Sequence, residues 1–370
     1  ALLLIAVDPS TGGRLRAAWA LPGIRWLFAL LAWATLSSPL ALWPHGAMDI
    51  VVNSLVKGIA MVIAIIVSVR GLRDIRRLAI VFFIGVVIFS VVVMSRFDIE
   101  PATERFSQLV YYDANEFALL AAASLPFGAY AAWLAPTTTR RIVVLGAMAL
   151  VFEVFVFCGS RGAVLALAAG LLYTMLSLRT IKLRWRVLAI VVVVGSFLTF
   201  ASDQFWERMD DAVESQDDYN ITSPTGRLQV WKRGIEYMVD NPVLGVGAGN
   251  FSTAEGKLSS YAAMLRERNA GYKWSVAHNS YVQAGAELGV PGLVFFTAAL
   301  FGTVLAVRRL TLATRGTPRH PELVALANAS VVSLIVFAVG ATFLSLAYSD
   351  MLFALLALAM GVLVASRRPR

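Results

Sequence analysis

Apolar positions in this chain arrive in long blocks separated by short polar connections. A helix needs roughly 20 residues to cross the hydrocarbon core of a bilayer. On that scale the blocks predict membrane-spanning helices over 24–43, 50–69, 78–94, 114–135, 142–158, 163–178, 187–200, 291–307, 323–344 and 350–366. The shorter ones are expected to extend into their flanks. Residues 1–7 are apolar but too short to span. With no basic n-region or small-residue cleavage site, they read as the tail of a helix that begins earlier, and not as a signal peptide. The blocks are interrupted once, by a polar segment over 201–290.

The connections alternate in charge. One set holds Arg14, Arg16 and Arg25; Arg70, Arg73, Arg76 and Arg77; Arg140 and Arg141; Arg179, Lys182, Arg184 and Arg186; Arg308, Arg309, Arg315 and Arg319; and Arg367, Arg368 and Arg370. Its acids are Asp8, Asp74 and Glu322. Such a bias marks the cytoplasmic side. The other side then holds 43–49, 95–113, 159–162, the segment 201–290 and 345–349. If residues 1–7 end at the cytoplasm, a further span precedes them, and the intact protein is expected to have about twelve spans with both ends inside.

Composition agrees with this pattern. The chain is 58% hydrophobic and 15% charged, with a mean hydropathy of +0.72, against about 45–50% and 25% in soluble domains. The net charge of +9 is therefore a topology signal and not a nucleic-acid footprint. No internal repeat, low-complexity tract or Gly/Ser linker marks a second soluble domain. The expected architecture is all-α and polytopic, one membrane domain over 1–370 with an external insertion at 201–290. Cys158, the single cysteine, has no intramolecular disulfide partner and reads as a small core residue.

The insertion changes character along its length. Residues 202–220 are acidic, with Asp203, Glu207, Asp210, Asp211, Glu214, Asp217 and Asp218. Paired aspartates invite a divalent-cation reading, but neither pair sits in a ligand pattern with a turn glycine, so a solvated loop and no metal site are expected. Ser223-Pro224-Thr225-Gly226-Arg227 then has helix-start chemistry, Trp231, Ile235 and Met238 follow at helical spacing, and Asn241-Pro242 stops the helix. An amphipathic helix on the membrane surface is expected. The glycine-rich run 241–251 lacks the strand and helix that a dinucleotide fingerprint needs, which leaves a tight turn packed against the membrane helices.

His278 is the only histidine in 201–290. It precedes a short helix over 279–288, closed by Gly289 and followed by Pro291. The positive end of a helix dipole disfavours imidazolium and keeps a neutral base at hand. Two arginines share the outer side, Arg161 in the tight hairpin Cys158-Gly159-Ser160-Arg161-Gly162 and Arg227 at the helix start. Each is open to a bland reading as a lipid-headgroup contact or an ion pair with the acidic loop. Guanidinium forks also suit phosphate oxygens, and two of them suit a pyrophosphate without a metal. Charges inside spans are costly and commonly functional. Lys57 is assigned either to a phosphate or to a carboxylate partner, Glu153 to a helix–helix network, and Asp350 either to orienting a site group or to an ordinary span boundary.

Asp113-Ala114-Asn115-Glu116-Phe117-Ala118, Ser160-Arg161-Gly162-Ala163, Thr225-Gly226-Arg227 with Trp231, Asn241-Pro242-Val243-Leu244-Gly245-Val246-Gly247 with Asn250-Phe251, and His278-Asn279-Ser280-Tyr281 with Glu287-Leu288-Gly289 together resemble the O-antigen ligase superfamily, and within it the ligases. The resemblance covers roughly 113–350. It implies a GT-C-type glycosyltransferase of the bacterial inner membrane, multi-pass, with its site and its one large loop on the periplasmic face. The implied donor is O-antigen on undecaprenyl pyrophosphate and the implied acceptor a lipid A core sugar, so that transfer completes lipopolysaccharide. Membrane lipids surround the protein, and no cofactor, metal, nucleotide or nucleic acid takes part. The essential histidine and arginines of the family map onto His278, Arg161 and Arg227. Lys57, Asn279, Tyr281 and Asp350 are candidate substrate-binding or supporting residues. O-antigen polymerases and protein O-oligosaccharyltransferases share much of the pattern and remain alternatives. From another class, a small-anion transporter would use the outer arginines and Lys57, although related halves and broken midplane helices are not clear in the sequence.

Overall fold

The computed structural model describes residues 11–96, 99–100, 105–106, 112–178, 181–200, 206, 223–272, 274–314 and 321–367. Its helices are α1 (Thr11–Trp19), α2 (Pro22–Ser37), α3 (Pro44–Ile50), α4 (Lys57–Ser68), α5 (Leu72–Arg96), α6 (Ala114–Leu134), α7 (Thr138–Phe157), α8 (Arg161–Ser177), α9 (Leu183–Phe200), α10 (Arg227–Asp240), α11 (Phe251–Lys257), α12 (Ser260–Glu267), α13 (Ser280–Ala313), α14 (Pro321–Gly340) and α15 (Asp350–Ser366). A two-residue antiparallel pairing, β1 (Ile99–Glu100) with β2 (Arg105–Phe106), adds a small hairpin to an otherwise all-α chain. Each predicted span falls on helix over most of its length, those predicted over 24–43 and 323–344 ending three and four residues late. Residues 1–7 and the acidic stretch 202–220 lie outside the described residues, apart from Trp206.

Among the described residues, five helical segments are long and apolar enough to cross a membrane: Pro44–Ser68, Leu72–Arg96, Ala114–Leu134, Ser280–Ala313 and Pro321–Gly340. The pair Gly12–Trp19 and Pro22–Leu40, bent by 86°, makes a sixth if it is one span. The chain is a polytopic helical membrane protein. It divides into two compact units, one holding the described residues of Ala1–Ser68, Asp211–Thr303 and Ala341–Ala357, the other those of Val69–Asp210, Val304–Gly340 and Leu358–Arg370.

In the second unit, helix starts are set by side-chain caps. Glu116 N–H donates to Asp113 Oδ1 at 2.8 Å while Asp113 N–H reaches Glu116 Oε2 at 3.3 Å, a capping box that opens α6. Thr137 and Ser160 cap α7 and α8 by accepting from the N–H groups of Arg140 and Ala163. α6 and α14 form the core of the unit, each 72% buried over its most apolar window, and Ser333 Oγ ties them by donating to the Ala123 carbonyl at 2.6 Å. α5 is only 28% buried, with Val81, Ile84, Ile88 and Val91 exposed. Water would penalise that face; hydrocarbon is the solvent it suits. Glu322 is paired with Arg76 at 3.3 Å and accepts from the Tyr130 hydroxyl at 3.1 Å. Glu153 departs from expectation. It is exposed and makes no hydrogen bond or ion pair among the described residues, because α7 turns Val151, Val154 and Phe155 inward instead.

In the first unit, the span Pro44–Ser68 passes through a π-helical turn at Val51–Val56 that ends at Lys57. The larger departure is in α13. Gly289 has φ 68° and breaks it, and a Cβ there would collide with the Pro242 and Val243 carbonyl oxygens. Tyr281 stacks on Phe301 with ring centroids 6.4 Å apart; along an unbroken helix those positions would stand about 30 Å apart at 1.5 Å per residue. Residues 280–288 are therefore a separate short helix folded back on the stretch that holds Phe296 and Phe301, and only the part after Gly289 is the spanning helix. α14 stops at Gly340, short of the expected 344, and the residues after it run as a strap whose Ala341 and Leu344 carbonyls accept from Ser280.

Candidate active site

The start of α13 is built by its own side chains. Asn279 Oδ1 accepts from the N–H groups of Tyr281 at 2.9 Å and Val282 at 3.1 Å, so Asn279 is the cap and His278 stands one residue ahead of it. Asn279 is 8% exposed and is thereby committed to the backbone. His278 is half-buried with φ 47°, and its N–H donates to Ser345 Oγ at 2.8 Å. Ser280 Oγ donates to the Leu344 carbonyl at 2.7 Å and accepts from Leu346 N–H at 2.8 Å. Tyr281 packs its ring on Phe296 and Phe301.

The glycine-rich run forms the expected tight turn, and it docks on the same short helix. Val246 N–H donates to the Ala286 carbonyl at 2.9 Å and Gly247 N–H to the Glu287 carbonyl at 2.8 Å. Gly245, at φ 66°, lies so close that a Cβ would collide with the Glu287 backbone. The Glu287 carboxyl, 1% exposed, accepts from Gly249 N–H at 2.8 Å and Phe251 N–H at 3.2 Å. The loop thus cradles a carboxyl group of its own chain. Tyr348 is also buried here, and the desolvation of its hydroxyl, reinforced by Glu287, holds it well above the usual tyrosine range.

α10 carries Arg227 at its first position, half-buried, after Gly226. Gly226 supplies no side-chain cap, and the guanidinium is carried at the positive end of the helix dipole. One turn on, Trp231 Nε1 donates to the Ala277 carbonyl at 3.0 Å. The buried face of α10 is Val230, Arg233, Gly234 and Tyr237. The apolar stripe through Ile235 is not the face that packs on protein: Ile235 is 48% exposed, along with Leu228 and Val239. Gly234 is the reason: its missing side chain admits Val282 and Phe251. Arg233 holds Glu255 with both prongs, at 2.8 and 2.6 Å, and donates to the Pro224 carbonyl at 2.9 Å. Tyr237 donates to Glu255 at 2.8 Å, and burial together with that carboxylate raises its hydroxyl above the usual tyrosine range.

Of the sequence-predicted residues, the first unit contains His278, Arg227, Asn279, Tyr281, Lys57 and Asp350, and the hydrogen bond from Trp231 to Ala277 links the neighbourhoods of Arg227 and His278. Lys57 and Asp350 are exposed and have no hydrogen-bond or ion-pair partner among the described residues. Arg161 belongs to the second unit, half-buried at the first position of α8, after Gly159 at φ 58°. A cavity of about 510 Å³ beside the C-terminal half of α10 is lined by Glu236, Asp240, Asn241, Ser259 and Ser260 among others, and by none of the predicted site residues. Sequence reasoning missed Arg233, Glu255 and Ser345. A charged residue on the inward side of a helix with a glycine beside it was the available signal for Arg233; nothing local signals Ser345.

These features define a helical membrane protein whose polar loops converge on a histidine at a helix start and an arginine-led helix. Residues 146–297 match the family model for O-antigen ligase, a match that supports membership of the O-antigen ligase superfamily. No curated protein matches the chain. The superfamily match implies glycosyltransferase-like ligase or polymerase activity.

Proposed function

We propose that the protein is an O-antigen ligase of the bacterial inner membrane, acting on the periplasmic face, which moves glycan from undecaprenyl pyrophosphate to a lipid A core sugar. The observation that carries this reading is the Trp231–Ala277 hydrogen bond, which ties a candidate base to a candidate phosphate clamp. His278 takes the proton from an acceptor hydroxyl as that oxygen attacks the anomeric carbon of the donor. The bond from that carbon to the pyrophosphate oxygen breaks, the lipid pyrophosphate leaves from the opposite face, and the anomeric centre inverts. Arg227, aided by the amide-rich start of α10, binds the pyrophosphate and stabilises the charge that builds on it. Arg161 is assigned the same role on the resemblance alone.

Lys57 supplies a further cation toward the donor phosphate. Tyr281 and Asn279 support the helix start behind His278, and Asp350 orients substrate at the start of α15. The exposed apolar stripe Leu228, Ile235 and Val239 supports α10 lying on the membrane surface. The test is the product formed by purified protein given undecaprenyl-pyrophosphate glycan, with lipid A core or with more glycan donor as acceptor. Glycan on the core supports ligation. Lengthened lipid-linked glycan makes the protein a polymerase, and flux of small anions without any transfer makes it a transporter.

A further inference from the structure

Left-handed backbone is strained for a residue with a Cβ. Among the described residues only Asn269 and His278 adopt it without being glycine. Such a conformation persists where the surrounding bonds over-determine it, and around His278 they do. The Ala277 carbonyl is held by Trp231, Asn279 caps the helix that follows, and Ser280 N–H donates to the Ala341 carbonyl at 2.7 Å. The His278 N–H is taken by Ser345 Oγ. That oxygen is itself fixed from both sides, because the residues before and after it, Leu344 and Leu346, both bond the Ser280 hydroxyl. Further along, Ala347 N–H donates to Gln283 Oε1 at 3.3 Å. The strap 341–348 thus runs beside the short helix and delivers one hydroxyl to the N–H of the left-handed His278.

We propose that Ser345 is a positioning residue for His278, holding the backbone in the left-handed turn that aims the imidazole at the acceptor hydroxyl. This rests on the reading of His278 as the base. Ser345 does not touch the pyrophosphate in this scheme, so its loss acts on the chemical step and not on donor binding.

The test uses the full chain in lipid nanodiscs, with undecaprenyl-pyrophosphate glycan as donor and lipid A core as acceptor. Ser345→Ala is expected to lower kcat on the order of 10–100-fold, the scale of a misplaced reacting group, with the donor KM little changed. Ser345→Thr keeps the acceptor oxygen and is expected to restore most of the rate. In a His278→Ala background the Ser345→Ala change is expected to cost nothing further, whereas a general loss of packing would lower that residual rate as well. If Ser345→Ala does not fold, Ser345→Cys and Ser345→Thr replace it; sulfur accepts poorly, so Cys keeps the loss and Thr does not. Wild-type kcat in Ser345→Ala, no rescue by Thr, or an equal loss in the His278→Ala background each overturns the proposal. The underlying reading fails separately, if His278→Ala itself transfers glycan at the wild-type rate.

Discussion

Trp231 Nε1 donates to the Ala277 carbonyl across 3.0 Å, so the helix that begins with Arg227 and the turn that presents His278 share a hydrogen bond one helical turn from the first and one residue from the second. Trp231→Phe keeps the ring and removes the donor. A hydrogen bond of this kind is worth about 0.5–1.5 kcal/mol net, which sets the expected fall in transfer rate at about two- to twelvefold. Initial rates with Arg227 and His278 intact check this. An unchanged rate means the link does not register the two groups.

Arg233 and Glu255 lie at 10% and 3% side-chain exposure. Breaking a buried pair leaves an uncompensated charge and costs about 3–5 kcal/mol. Arg233→Ala is therefore expected to lower stability by that amount in detergent denaturation, and also to free the Pro224 carbonyl just ahead of Arg227. Glu255→Gln leaves the Arg233 guanidinium equally uncompensated and is expected to cost a similar amount, whereas removing both charges together is expected to cost less than the two losses added. Strictly additive losses in the double variant would show that charge pairing is not what Arg233 supplies.

Much of this architecture is legible locally. The spans follow from hydropathy, and the short helix after His278 follows from a cap residue and a closing glycine, signals that need no tertiary contact. The Asp113–Glu116 motif is likewise a capping box that its spacing announces. What escapes is pairing at a distance. Arg233 meets Glu255 22 positions away, Gly249 meets Glu287 38 away, and His278 meets Ser345 67 away. Which side of α10 packs on protein escapes for a related reason. Apolar periodicity names a face, but the packed face is chosen by Gly234, whose significance depends on Val282 and Phe251 lying opposite.

Sidedness has its own check. Cys158 is buried, so introduced cysteines will dominate labelling. Ser260, the first residue of α12, is exposed. Cysteine at Ser260 is expected to react with an impermeant thiol reagent from the periplasm, and cysteine at Thr139, exposed beside the basic connection at Arg140 and Arg141, is expected to stay unlabelled until the membrane is opened. The reverse pattern overturns the periplasmic placement of His278.

The roles of base and clamp separate by what each variant does to donor binding. His278→Ala removes proton abstraction, commonly worth about 10²–10⁴ in rate, and is expected to leave affinity for a lipid pyrophosphate nearly unchanged, because the imidazole serves the acceptor. Arg227→Ala is expected to weaken donor binding and slow transfer together, since the guanidinium meets the pyrophosphate both before and during bond breaking. Arg227→Lys keeps the charge and loses the two-pronged geometry, so it recovers only part of both. The same split is expected for Arg161. Thorough chelation with EDTA is expected to leave the wild-type rate intact, the arginines supplying the positive charge; a loss that Mg²⁺ or Mn²⁺ restores would return Asp210, Asp211, Asp217 and Asp218 to consideration. Binding measured with a lipid pyrophosphate, alongside product formation for each variant, decides the assignment: if His278→Ala loses donor affinity as Arg227→Ala does, the histidine belongs to the phosphate site and another group must take the proton.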